Sequence, residues 1–75
     1  MAQRKGGNQM EAEYKGFSII TGADRDGSTQ LWNGRYRILD EKGIVIYESF
    51  VDPQSAQEAA EEAAKQKAHE WIDAR

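Results

Sequence analysis

The chain reads as an α+β domain, a three-stranded antiparallel meander packed on one C-terminal helix in the order β-β-β-α. Three stretches carry that expectation. In LWNGRYRIL, residues 31–39, Trp32, Tyr36 and Ile38 fall on one face and Arg35 and Arg37 on the other, the alternation of a strand with one buried and one wet face. IVIYESFV, residues 44–51, is rich in β-branched and aromatic side chains, which favour strands. From Ala56 onward, Ala60, Ala63, Ala64, Lys67 and Trp71 share one arc at helical spacing, behind an S-x-x-E capping box formed by Ser55 and Glu58.

The elements follow in order. Residues 1–9, MAQRKGGNQ, hold no apolar side chain larger than Met1 or Ala2, too little to offset the entropy of ordering them, so they read as a mobile tail ahead of one domain spanning 10–75. The first strand lies in YKGFSIIT, with Phe17 and Ile19 on one face, Ser18 and Ile20 on the other, and a bulge at Gly16. GADRDGSTQ, residues 22–30, is a loop by its Gly and Asp content. After the strand at 31–39, Asp40–Gly43 make a tight turn, with Gly43 supplying positive φ. A four-residue loop would set Arg35 opposite Glu48, and a three-residue loop with a Gly43 bulge would set Arg37 opposite Tyr47. Both registers stay open. Pro53 ends the last strand, and Phe17, Trp32, Tyr36 and Trp71 are expected to fill most of the core between sheet and helix.

Composition narrows the function. With 75 residues there is room for a single core and no deep small-molecule pocket, since a chain this short buries only about 60% of its unfolded surface. Thirteen acidic against ten basic residues give a net charge of −3, without general attraction to nucleic acid or an anionic membrane. The chain has no cysteine, so disulfides, thiolate metal sites and cysteine nucleophiles are excluded. No apolar run approaches a membrane span, and Met1–Gln9 lacks the apolar segment of a signal peptide, so the expected location is the cytoplasm.

Candidate chemistry is sparse. His69 is the sole histidine, lies opposite the alanine arc and reads as solvent-exposed, so no triad or histidine metal cluster can be assembled. Asp24–Gly27, D-R-D-G, opens like a calcium loop, but position 12 of that pattern is Arg35 where a bidentate glutamate belongs. Glu58, Glu61 and Glu62 with Lys65 form a solvated helix face. No catalytic residue, metal ligand or cofactor site follows. What remains is the sheet face away from the helix, where Arg35 and Arg37, with Lys15 from the first strand and Glu48 from the third, form the candidate binding face.

The run YKGFSII, the segment WNGRYRILDEKG and the helix opening DPQSAQEAAEEAA together resemble a set of small proteobacterial proteins of unknown function. In that set a YKG-type strand, a W-x-G-R strand and a Ser-capped, Ala-rich helix recur. The resemblance covers about residues 13–72 and implies the β-β-β-α fold; its motifs are structural and bring no catalytic residue with them. The order is also similar to the later part of a double-stranded-RNA-binding domain. That family has a helix before its sheet and lysines opening its last helix, where this chain has Glu58, Glu61 and Glu62, a departure that weighs against RNA. The expected function is a non-catalytic interaction module, binding protein or a second copy of itself through the bare face or an edge strand. The alternative is a nucleic-acid-binding or regulatory module using Lys15, Arg35 and Arg37, with Arg4 and Lys5.

Overall fold

The computed structural model describes residues 9–75 and contains β1 (Met10–Tyr14), β2 (Phe17–Arg25), β3 (Trp32–Leu39), β4 (Val45–Phe50) and α1 (Gln57–Asp73). The strands form one antiparallel sheet in the order β1-β2-β3-β4. The α+β class and the helix on an antiparallel sheet agree with the sequence, but the sheet has four strands rather than three. The tail expected at 1–9 lies, apart from Gln9, outside the described residues.

The additional strand arises at Gly16. Lys15 and Gly16 take φ of 51° and 86° and join Tyr14 to Phe17 as a two-residue hairpin. Positive φ at both central residues matches the right-handed twist of the flanking strands, and glycine adopts it freely. Gly16 is therefore a turn residue, not a bulge. MEAEY carries two glutamates among its five residues and lacks a strong strand signature, yet it gains a full backbone ladder against β2.

The other turns follow local chemistry. The sheet extends through Arg25, so the loop is shorter than 22–30. Asp26 and Leu31 close it backbone to backbone at 2.7 Å, the Asp26 carboxylate accepts the Ser28 N–H at 2.8 Å, and Gln30 takes φ of 67°. Between β3 and β4 the Gly43 N–H donates to the Asp40 carbonyl at 3.0 Å, while the Asp40 carboxylate accepts the Lys42 and Ile44 N–H groups. Gly43 has φ of 81°, so the three-residue loop with a glycine bulge is present and Leu39 faces Val45. A second irregularity then inserts Ile46 as an extra residue, setting Tyr47 opposite Ile38 and Glu48 opposite Arg37. Neither register expected from loop length alone survives past that point.

The helix packs over β2 and β3. Its buried row is Ala60, Ala64, Ala68 and Ile72, a strict i, i+4 series, whereas Ala56 and Lys67 are exposed. Opposite this row the sheet presents Ile19, Thr21 and Ala23 from β2 and Gly34, Tyr36 and Ile38 from β3. Ile19 and Ile38 are the largest wholly buried side chains and Tyr36 is buried beside them, as expected, while Phe17, Trp32 and Trp71 lie half-buried, so of the four expected aromatics only Tyr36 sits at the centre. Trp71 stacks on Tyr47 with ring centroids 4.7 Å apart.

Gly34 sets how close the helix comes. A Cβ there would collide with the Ala60 carbonyl and lie 2.9 Å from the Val51 side chain. The helix start is fixed in the same region, where Trp32 and Gln54 exchange backbone hydrogen bonds at 2.7 and 2.9 Å. Docking thereby places the N-cap at Ala56, with φ −134° and ψ 148°, and Ser55 one position too early to cap. The expected capping box does not form: the helix has no side-chain cap.

Three outcomes test this packing. Gly34→Ala should lower stability by about 2–3 kcal/mol in urea melts, because it overpacks backbone against backbone, whereas Gly22→Ala, which meets only the movable Arg35 guanidinium, should change it by less than about 1 kcal/mol. Ala56→Asp should raise stability by about 1 kcal/mol by supplying the missing cap. Ile38→Ala should cost about 3 kcal/mol and more than Trp71→Ala, and the reverse order would contradict a core centred on Ile19, Tyr36 and Ile38.

Candidate interaction surface

Sheet pairing assembles the face opposite the helix row by row. Glu11, Ile20, Arg37 and Glu48 stand side by side across all four strands, and Gly22, Arg35 and Phe50 form the next row. Arg37 Nε donates to Glu48 Oε1 at 3.0 Å, and Arg35 is ion-paired with Asp24 across β2 and β3. Both pairs are solvent-accessible, so each adds little stability, but each ties a guanidinium to a carboxylate on a neighbouring strand. Gly22 leaves the space over which the Arg35 guanidinium lies, 3.2 Å from where a Cβ would stand. Between the rows is an open depression of about 360 Å³, with Ile20 and Gly22 at its floor and Arg35, Arg37, Glu48 and Phe50 around it.

Of the four residues expected on this face, Arg35, Arg37 and Glu48 are together and Lys15 is elsewhere. Lys15 occupies the β1–β2 turn, and its ammonium lies 2.8 Å from Asp73 at the end of α1. The phenol of Tyr14 donates to the same carboxylate at 2.9 Å, and the Tyr14 ring stacks on His69 with centroids 4.0 Å apart. His69 is thus half-buried rather than free in solvent. The lysine and tyrosine bonds hold the Asp73 carboxyl below the usual range, and the aspartate in turn raises the Tyr14 and Lys15 values. This latch ties the first hairpin to a helix end, where a carboxylate opposes the helix dipole. The aspartates of D-R-D-G are likewise engaged, Asp24 with Arg35 and Asp26 with the Ser28 N–H.

The sequence reading missed Phe50. Its side chain is 71% exposed, and with Ile44, Val45 and Tyr47 it accounts for all the exposed large hydrophobics among the described residues except Met10. These four lie in or beside β4, an edge strand, whereas the opposite edge strand β1 carries Glu11 and Glu13. The signal was present: IVIYESFV has apolar side chains at both parities, more than one buried face can absorb.

No protein-family model matches the chain, and neither curated proteins nor solved structures give a match. Among the described residues no helix is long and apolar enough to cross a membrane.

The latch titrates with a definite sign. A carboxyl whose value is lowered on folding stabilises the fold above the ordinary carboxyl range and loses that contribution as pH falls through the lowered value. Asp73→Asn should therefore melt below wild type at neutral pH and coincide with it in strong acid, as followed by circular dichroism. At the alkaline end the Lys15 and Tyr14 contributions are lost as pH rises through their raised values.

Proposed function

We propose that this protein is a non-catalytic interaction module that takes up an extended protein segment along the β4 edge, with the neighbouring bare face supplying side-chain contacts. The observation that carries this is the concentration of exposed apolar residues, Ile44, Val45, Tyr47 and Phe50, at one sheet edge, while the other edge exposes Met10 beside the glutamates Glu11 and Glu13. An unpaired edge offers a row of backbone donors and acceptors, and natural proteins guard such edges with charge. β4 carries a single charged residue, Glu48, already paired with Arg37. Main-chain bonds would supply affinity and pockets beside the strand would supply selectivity. The depression beside Phe50 suits one side chain of an incoming segment. The same ion pairs that occupy Arg35 and Arg37 favour a protein over a nucleic-acid ligand, because a phosphate would have to displace Asp24 and Glu48.

The module is tested by sedimentation of the full chain together with capture from native lysate, comparing wild type, Phe50→Asp and Glu13→Gln. Wild type and Glu13→Gln should enter the same complex, whether with itself or with a partner, and Phe50→Asp should lose at least about tenfold in affinity. Equal behaviour of all three, or no complex of any kind, would overturn the proposal.

A further inference from the structure

We propose that a second copy of this chain occupies the β4 edge, paired antiparallel with β4 about a twofold axis at Ser49; this rests on the edge-pairing module proposed above. Backbone direction determines which groups are free to bond. The Val51 N–H donates inward to the Gly34 carbonyl at 3.0 Å. Along a strand, N–H and C=O groups alternate between the two sides. Tyr47 and Ser49 therefore point inward with Val51, and Glu48 and Phe50 present their backbone groups outward.

An incoming strand has to bond to Glu48 and Phe50, and symmetry leaves few ways to do so. Setting Glu48 against Glu48 of the second copy places like charges face to face. Setting Phe50 against Phe50 brings Glu48 opposite Asp52 of the second copy, again acid on acid. Centring the axis on Ser49 sets Glu48 against Phe50, twice by symmetry, with no acid opposite an acid. Each Glu48 then keeps its own Arg37 at 3.0 Å and gains an aromatic neighbour. The two Phe50 rings become diagonal neighbours across the axis, within reach of one another, and their exposed surface is covered, while the two Glu48 side chains take the other diagonal, each neutralised by its own Arg37.

Two features of the molecule suit this arrangement. The helix lies over β2 and β3 and reaches β4 mainly through Trp71 on Tyr47, so the outward backbone groups of β4 stay open and the sheet can continue into the second copy. Pairing of β4 with β1 of another molecule, which would grow an open stack instead of a closed dimer, is opposed by Glu11 and Glu13 on β1. The contact joins two six-residue strands and is small, which implies a weak, concentration-dependent dimer.

Amide hydrogen exchange of the full chain, read by NMR at low micromolar and at millimolar concentration beside sedimentation equilibrium, tests this without mutation. The expected result is dimer formation with exchange at the Glu48 and Phe50 N–H groups slowed about tenfold or more, while the outward amides of β1 are unchanged. Ser49→Cys, the only cysteine in the chain, should oxidise to a disulfide-linked dimer. A strict monomer at millimolar concentration, or a dimer in which Glu48 and Phe50 exchange as in the monomer, overturns the proposal. If the monomer still captures another protein in a Phe50-dependent way, the module stands and only its occupant is wrong. If both fail, the module fails too.

Discussion

The rest of the molecule depends on one close approach, that of the helix backbone at Ala60 to the β3 backbone at Gly34. With no side chain at Gly34, the helix can lie directly on the sheet, and the alanines at 60, 64 and 68 preserve that distance along its length. The choice has two consequences. A helix held this close covers β2 and β3 and reaches β4 mainly through Trp71 on Tyr47, so an edge strand is left uncovered. The start of the helix is also dictated by docking, at Ala56, against the local preference for Ser55. A side-chain cap contributes about 1 kcal/mol, and the helix forgoes it to keep its alanine row on the sheet.

The sequence made some of this legible and hid the rest for physical reasons. The alternation of Trp32, Tyr36 and Ile38 with Arg35 and Arg37 is a period-two pattern, and it assigned both faces of β3 correctly. The helix was visible in its composition, but not its phase, because alanines at 56, 60, 63 and 64 satisfy more than one arc and only the sheet can choose among them. The fourth strand was hidden because MEAEY is held by backbone pairing, which leaves little mark on side-chain pattern, and because a glycine after Tyr-Lys fits a bulge as well as a turn.

The candidate face shows the same division. Arg35 and Arg37 were found because parity along a strand is a local property, whereas Glu48 joined them only through the register of a four-residue loop. Their pairing was not found, because the extra residue Ile46 shifts the register of β4 by one and so decides which residues face which way. That single irregularity brings Glu48 beside Arg37 and turns Phe50 onto the bare face. Lys15 was misplaced because its partner, Asp73, is 58 residues away in sequence. A contact of that kind is a property of the fold and has no local signature.

The edge that the module would use thus follows from the helix position, and the helix position follows from Gly34. The most direct test is a nuclear Overhauser spectrum of the wild-type chain centred on the Gly34 α-protons. Cross-peaks from them to helix protons around Ala60 and to the Val51 methyls are expected, since those groups surround the missing Cβ. Gly34 α-protons that see only their neighbours within the sheet would mean that the helix stands off β3, and would contradict the account from the packing to the open edge.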